Sequence, residues 1–125
     1  MTRLLVDTHA VLWWLADDPA LPPSARELIA DPENEPLVSA ASVWEIAIKR
    51  SLGKLHVPDD LPATIVAEGF TWLELTARNA WEVRALPMHH RDPFDRVLIA
   101  QALAERIPVV TGDARFAAYG VETCW

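Results

Sequence analysis

The chain has 125 residues, a length typical of one domain, and 51% of them are hydrophobic, which excludes a disordered chain. Its formal net charge is −7 at pH 7, which argues against nonspecific binding of nucleic acid through a basic surface. A lone cysteine, Cys124, excludes an internal disulfide, and no apolar run reaches the ~20 residues of a membrane span. We therefore expect one cytoplasmic domain over residues 1–125, with no membrane partner.

The first predicted elements are a strand and a helix. The run from Arg3 to Asp7 lacks polar alternation, which predicts a strand buried on both faces. The helix predicted over 9–16 is apolar nearly all round, and Trp13 and Trp14 point about 100° apart on it. Since both rings could not then face one core, one of them is expected to meet another subunit, while plain core packing is the alternative for either ring taken singly.

The rest of the chain continues to alternate between helices and strands. The predicted elements are a helix over 24–31, a strand over 35–39, helices over 41–52 and 61–69, a strand over 71–75, helices over 76–86 and 93–106, a strand over 108–111, a helical turn over 115–119 and a strand over 121–124. In the helix over 41–52, the apolar residues at helical spacing are Val43, Trp44, Ala47, Ile48 and Leu52. This order predicts an α/β fold whose mainly parallel sheet has helices on both faces.

Four carboxylates stand where apolar runs end: Asp7, Glu45, Asp95 and Asp113. In a wound α/β domain, strand tips and helix starts converge at such positions into a ligand crevice. Like charges ~4 Å apart repel by about 4 kcal/mol at an effective dielectric constant of 20, and a divalent cation relieves that repulsion most directly. Oxygen ligands favour Mg²⁺ or Mn²⁺ over zinc, so a site for one of these cations is predicted.

Each acid also has a structural interpretation. Ser42 and Glu45 have the spacing of a capping box, and Asp113 could cap the turn that follows it. Asp92 is a natural helix N-cap and is assigned to capping. Asp7 is the hardest to explain in this way, because a carboxylate directly after buried aliphatic residues is costly without a compensating partner.

The basic residues gather in two places. The clusters are Lys49, Arg50, Lys54 and His56, and then His89, His90, Arg91 and Arg96. Each cluster is either a local phosphate-binding track or a solvated surface. The four histidines, His9, His56, His89 and His90, are interpreted as loop or substrate-side residues, because a metal-bound hydroxide needs no dedicated histidine base.

Four ordered blocks of sequence resemble the PIN-domain family, and more closely the VapC-type toxins of bacterial toxin–antitoxin pairs. The blocks are Val6-Asp7-Thr8-His9-Ala10, Ser39-Ala40-Ala41-Ser42-Val43-Trp44-Glu45-Ile46, His90-Arg91-Asp92-Pro93-Phe94-Asp95-Arg96 and Thr111-Gly112-Asp113-Ala114-Arg115-Phe116. The first block alone is a weak match, but the four in order extend over essentially the whole chain.

The resemblance implies a single PIN-like domain with endoribonuclease activity that depends on Mg²⁺ or Mn²⁺. It also implies an RNA substrate, a homodimer and a cognate antitoxin that neutralises the protein. The acidic quartet that would hold the metal and support catalysis is Asp7, Glu45, Asp95 and Asp113. Arg96 and Thr111 are candidates for orienting the carboxylates or the substrate.

Three other functions fit parts of the pattern. A phospho-acceptor receiver domain needs a basic residue after the last core strand, where this chain has Thr111, Gly112 and Asp113. A haloacid-dehalogenase-type phosphatase needs a second aspartate two residues after the first, where His9 stands. A PIN scaffold that binds RNA or protein without cutting is disfavoured by the intact acids.

Overall fold

The computed structural model describes residues 2–125, and its centre is one five-stranded parallel sheet. The strands are β1 (Thr2–Val6), β2 (Asn34–Ser39), β3 (Thr71–Leu73), β4 (Val109–Val110) and β5 (Thr123–Cys124). They lie in the order β3-β2-β1-β4-β5, and every neighbouring pair is parallel. The predicted α/β class with a parallel sheet is therefore confirmed.

Six α-helices and two 3₁₀ turns connect the strands within the described residues. They are α1 (Thr8–Leu15), α2 (Pro23–Ala30), α3 (Ala40–Ser51), α4 (Leu61–Ala67), α5 (Ala77–Glu82) and α6 (Pro93–Glu105), with 3₁₀ turns over Val83–Ala85 and Ala114–Tyr119. The predicted helix over 76–86 thus divides into α5 and a 3₁₀ turn. Among residues 2–125, no helix has the length and apolar character to cross a membrane.

The strand order places a topological switch point at β1. From β1 the chain adds β2 and β3 on one side of the sheet, and later adds β4 and β5 on the other side. In open parallel sheets, ligands bind in the crevice beyond the carboxyl ends of the strands where the order reverses. Asp7 follows β1 directly and Asp113 comes three residues after β4, so both lie at this crevice.

Both faces of the sheet are buried, as the absence of alternation in β1 predicted. Leu4 and Val6 belong to one apolar cluster and Leu5 to a second, because successive side chains of a strand point to opposite faces. Trp13 and Trp14 are partly buried, and both pack against the first cluster. The prediction that they could not share one core is wrong, because large indoles reach the same cluster from the two flanks of α1.

The apolar stripe predicted for α3 is not the face that packs inward. The helix buries Ala41, Ser42, Glu45 and Ile46 instead. Trp44 and Leu52 are 57% and 62% exposed. The inward face of this helix carries the buried polar groups of the site described below, so the apolar periodicity marks the outer surface of the helix.

Candidate metal centre

Asp7 lies between the central strand and the first helix. It is the N-cap of α1, and its Oδ1 accepts a hydrogen bond from the backbone N–H of Ala10 at 2.7 Å. The hydroxyl of the next residue, Thr8, donates to Ser42 at 2.8 Å and so ties α1 to α3. Asp7 is only 6% exposed. These contacts fix the Asp7 carboxylate at the switch point of the sheet.

Glu45 lies on the second turn of α3 and has no part in capping it. The N-cap is Ser39, whose hydroxyl accepts from the backbone N–H of Ala41 at 3.0 Å, so the proposed capping box of Ser42 and Glu45 is wrong. Glu45 is buried, and its Oε2 lies 2.6 Å from Nζ of Lys49. Its Oε1 is buried and has no hydrogen-bond partner among residues 2–125. A buried carboxylate oxygen without a partner is costly unless a ligand completes it.

Asp95 stands in the first turn of α6, just after the cap of that helix. Asp92 is the N-cap, as predicted, and its Oδ1 accepts from the backbone N–H groups of Phe94 and Asp95 at 2.8 and 3.1 Å. The Asp95 side chain is 20% exposed and lies 2.9 Å from His90. Capping therefore occupies Asp92, whereas the carboxylate of Asp95 turns to the site.

Asp113 follows β4 and also caps the 3₁₀ turn over Ala114–Tyr119. Its Oδ1 accepts from the backbone N–H of Arg115 at 2.9 Å, which confirms the predicted capping. The guanidinium of Arg115 also binds both carboxylate oxygens at 3.0 Å. Arg115 is mostly exposed, so Asp113 forms the solvent side of the site.

His90 joins two of the predicted acids. Its Nε2 lies 2.9 Å from Oδ2 of Asp95 and 3.0 Å from Oδ2 of Asp113. Its Nδ1 accepts from the backbone N–H of Asp92 at 3.2 Å, so Nε2 carries the proton that faces the carboxylates. One ligand atom from each of His90, Asp95 and Asp113 lies within 4.8 Å of the others, a group that does not include Asp7 or Glu45.

The interpretation of His90 as a loop or substrate-side residue is wrong, because its ring is 2% exposed and lies between carboxylates. The sequence offers one signal for this role, namely the position of His90 within the block that carries Asp92 and Asp95. Lys49 was likewise grouped with surface cations, and it pairs with Glu45 instead. Its spacing of four residues from Glu45 on a helix could have indicated that pair.

Burial and mutual repulsion disfavour the charge of two of the acids. Burial raises the pKa of Asp7 above its ordinary value, against the favourable effect of the Thr111 hydroxyl and the Ala10 N–H. Burial, and then the negative charge of Asp92, raises the pKa of Asp95 to about 6. Glu45 and Asp7 add to this effect on Asp95. Asp95 therefore feels the negative charges of Glu45 and Asp7, and Asp7 feels that of Asp113, so a bound cation would relieve repulsion among these acids.

Asp113 behaves in the opposite way. Burial favours its neutral form, but the Arg115 guanidinium and N–H, together with His90, outweigh burial and hold the pKa of Asp113 below its ordinary value. On the other side of the site, the hydrogen bond with Glu45 raises the pKa of Lys49. The acids are therefore flanked by cations that remain charged at neutral pH.

Arg96 does not contact the carboxylates, contrary to its predicted role. It is 8% exposed, and its guanidinium donates to backbone carbonyls of the segment before α6. The acceptors are the carbonyls of Val83, Leu86, Pro87 and His90 at 3.0–3.2 Å. The hydroxyl of Tyr119 accepts from the N–H groups of His89 and His90 and donates to Pro87. Arg96 and Tyr119 together hold the segment that presents His90.

The two basic clusters are not equivalent surfaces. His90 and Arg96 are buried, so the second cluster does not form the continuous phosphate-binding track that was one of its two interpretations. In the first cluster, Lys49 pairs with Glu45 and Arg50 pairs with Asp59. Thr111, the other candidate for orientation, accepts from the backbone N–H of Asp113 at 3.0 Å, which agrees with that role.

The donor set fits a hard divalent cation. Its members are carboxylate oxygens, because Nε2 of His90 holds the proton that it shares with Asp95 and Asp113, and the buried Oε1 of Glu45 lacks a partner within the described part of the chain. Mg²⁺ and Mn²⁺ both prefer the oxygen ligands that carboxylates and water supply. Cys124 is partly buried in the first apolar cluster and belongs to β5, so a thiolate zinc site is not formed here.

The sequence profile of the PIN domain matches residues 4–122. The chain belongs to the PIN-domain family. A curated relative of this PIN domain is Ribonuclease VapC22 of Mycobacterium tuberculosis (strain ATCC 25618 / H37Rv), which is 30% identical over 118 residues. That match covers 92% of this chain and 90% of the relative. The two proteins can therefore be aligned over nearly the whole length of each.

Two solved structures have the same fold as this PIN domain. One is VapBC2 from Rickettsia felis bound to a DNA fragment from their promoter, with a TM-score of 0.68, 14% identity, and coverage of 99% of this chain and 100% of that one. The other is DNA-bound VapBC from Salmonella typhimurium, with a TM-score of 0.69, 17% identity, and coverage of 98% and 97%. At these identities the likeness establishes the fold.

Proposed function

We propose that this PIN domain is an endoribonuclease that depends on Mg²⁺ or Mn²⁺ and acts as the toxin of a VapBC-type toxin–antitoxin pair in the cytoplasm. One observation carries the proposal: His90 joins Asp95 and Asp113 at 2.9 and 3.0 Å beside the switch point of the sheet, where burial, and then the charges of Asp92, Glu45 and Asp7, raise the pKa of Asp95 to about 6. The naming of VapC22 as a ribonuclease supports the choice of RNA as substrate.

In this proposal the acidic quartet of Asp7, Glu45, Asp95 and Asp113 holds the metal. A bound divalent cation supplies polarisation of a phosphoryl oxygen and lowers the pKa of a bound water. The chain itself supplies orientation, because α1 fixes Asp7 through the Ala10 N–H and His90 holds Asp95 and Asp113 by hydrogen bonds.

The flanking cations have a second role in the proposal. Lys49 is 39% exposed and Arg115 is 61% exposed, and each pairs with one acid of the quartet. When a metal neutralises these acids, both cations become available to bind the phosphates next to the scissile bond. This arrangement reconciles a chain of net charge −7 with a polyanionic substrate, because the attraction is confined to the site.

The antitoxin is proposed to cover the outer surface of α3. A groove of about 820 Å³ lies between α3 and the segment that leads to α4, and Val43, Ala47, Leu55 and Leu61 contribute to its lining. The exposed Leu52 on the same helix extends the apolar surface. The fold shared with two VapBC structures supports a protein partner of this kind, and a homodimer is proposed with it.

We expect the purified chain, freed of antitoxin, to cleave structured RNA with Mg²⁺ or Mn²⁺ and to lose cleavage in EDTA. The physical reason is that the quartet repels itself and leaves the scissile phosphate without a counter-charge when no cation is bound. Gel analysis of a labelled RNA measures this, and addition of excess Mn²⁺ to the EDTA sample is the control. Equal cleavage in all three conditions would refute the metal requirement.

The toxin role is checked in cells with the same protein. Expression is expected to arrest growth, and co-expression of the product of a short adjacent gene is expected to restore it. The measurement is colony growth at matched soluble expression, confirmed by immunoblot. Normal growth in the presence of abundant soluble and RNA-cleaving protein would overturn the toxin role while leaving the nuclease activity in place.

A further inference from the structure

Three aromatic rings form a wall beside the proposed metal centre. The ring centroids of His9 and Trp13 are 5.7 Å apart, and those of Trp13 and Trp125 are 5.9 Å apart. They border a recess of about 500 Å³ that Asp7 and Asp113 also line. This volume lies within the usual range for ligand pockets, about 300–1,000 Å³. An aromatic recess thus opens directly onto two acids of the quartet.

The position of Trp125 depends on the glycine that precedes Asp113. A Cβ atom added to Gly112 would lie 2.8 Å from Cε2 of the Trp125 indole, which is closer than real Cβ contacts allow. The indole therefore packs flat over the chain where β4 ends. It is 41% exposed, so a face of this ring is open to a ligand.

We propose that this recess, formed by His9, Trp13 and Trp125, stacks a nucleobase of single-stranded RNA next to the scissile phosphate. The inference rests on the proposed ribonuclease function. It adds that the site favours RNA with an unpaired base next to the scissile phosphate. Aromatic rings bind unpaired bases by stacking, and every base has a suitable face. Most of the lining consists of aromatic rings and small side chains, which suits an uncharged base better than a phosphate.

The polar rim agrees with such an occupant. Arg115 also lines the recess, where its exposed guanidinium can reach the phosphate that follows a stacked base. His9 is exposed at the opposite end of the aromatic row. A base in the recess and its phosphate at the acids would fix the register of the strand at the cut.

The test measures RNA binding without cleavage. Anisotropy of a labelled short oligoadenylate in low salt, with Ca²⁺ in place of Mg²⁺ to occupy the acids and a gel to confirm that the oligomer stays intact, gives its Kd. An oligomer of abasic sugar-phosphate under the same conditions gives the contribution of the backbone. Trp125→Ala is expected to weaken oligoadenylate binding about fivefold or more, the low end of the loss for one stacked base. The abasic oligomer should bind wild type and variant alike.

Three variants make the result specific. Trp125→Phe keeps a ring and should restore most of the affinity, whereas Trp125→Leu keeps apolar bulk and should not. Trp81→Ala removes an indole that is 66% exposed on α5, away from the recess, and should bind like the wild type. Circular dichroism and thermal melting confirm that each variant is folded.

Unchanged oligoadenylate affinity in folded Trp125→Ala would overturn the stacking site, even if the wild type cleaves RNA. A change of oligomeric state in Trp125→Ala with unchanged affinity would also overturn it, since the ring would then belong to an interface between copies. If the wild type binds no oligoadenylate, the stacking site fails. The metal-dependent cleavage assay decides separately whether the proposed nuclease fails with it.

Discussion

Replacing Asp95 with Asn is expected to abolish RNA cleavage and, at the same time, to stabilise the folded chain. Cleavage should fall by at least about a hundredfold, because a metal ligand supplies several kcal/mol of charge stabilisation. Stability should rise because folding raises the pKa of Asp95 from 3.8 to about 6 and so disfavours its charged form. A substitution that lowers activity and raises stability is typical of a functional residue whose charge is unfavourable until its ligand binds.

The stabilisation by Asp95→Asn depends on pH in a defined direction. Below about pH 3 the carboxyl is protonated in both the folded and the unfolded chain, so its removal changes little. The penalty grows as the pH rises from 3.8 and is complete above pH 6, where a shift of about two units corresponds to at most about 3 kcal/mol, which solvent screening reduces. In EDTA, the variant should therefore melt several degrees higher than the wild type at pH 7.5 and at nearly the same temperature at pH 3.

A matched control separates this effect from the loss of any negative charge. Asp60 is exposed at the start of α4 and makes no capping hydrogen bond with its side chain. Asp60→Asn should leave both cleavage and melting temperature close to those of the wild type. Wild-type cleavage by Asp95→Asn, or an unchanged melting temperature at pH 7.5, would contradict the account of this carboxylate.

Replacing the buried Arg96 with Met is expected to cause a large loss in the free energy of unfolding. The guanidinium of Arg96 donates to four backbone carbonyls and has no carboxylate partner in the described chain. Its removal leaves these acceptors without their donor, at a cost of about 3 kcal/mol or more. Urea denaturation measures the change in the free energy of unfolding.

Two further variants test the reason for that loss. Arg96→Lys keeps the charge but cannot span the same carbonyls, so an intermediate loss is expected. Arg91→Met removes an exposed cation five residues away and should change stability by no more than about 0.5 kcal/mol. If Arg96→Met were as stable as the wild type, the segment before α6 would not depend on this side chain.

The fold and the acids were largely predictable because local sequence determines them. An apolar run that ends in Asp7 fixes a strand and its tip, and helix propensity with capping residues fixes α6 behind Asp92. Parallel strands then bring their carboxyl ends together, whatever the details of packing. The positions of Asp7, Asp95 and Asp113 follow from these rules.

The errors concern side chains whose surroundings come from distant segments. Arg96 looks like a surface cation in sequence, yet the 83–90 segment folds over it and supplies carbonyl partners. His90 looks like a loop residue, yet the carboxylates of Asp95 and Asp113 come from two other segments to enclose its ring. The stripe of Val43 and Trp44 has the spacing of a core face, but α3 packs inward through the face that carries Ala41 and Ile46 and buries Glu45 with them. Periodicity identifies a helix and does not by itself identify which neighbour covers it.

Manganese binding, measured directly on the protein, tests the central claim that these acids form a metal centre. The electron paramagnetic resonance signal of free Mn²⁺ gives the bound fraction without any reference to catalysis. At pH 7.5 we expect saturable binding to the wild type and to Asp60→Asn, and at least tenfold weaker binding to Asp95→Asn and Asp113→Asn. Equal uptake of Mn²⁺ by the wild type and by both site variants would contradict the account.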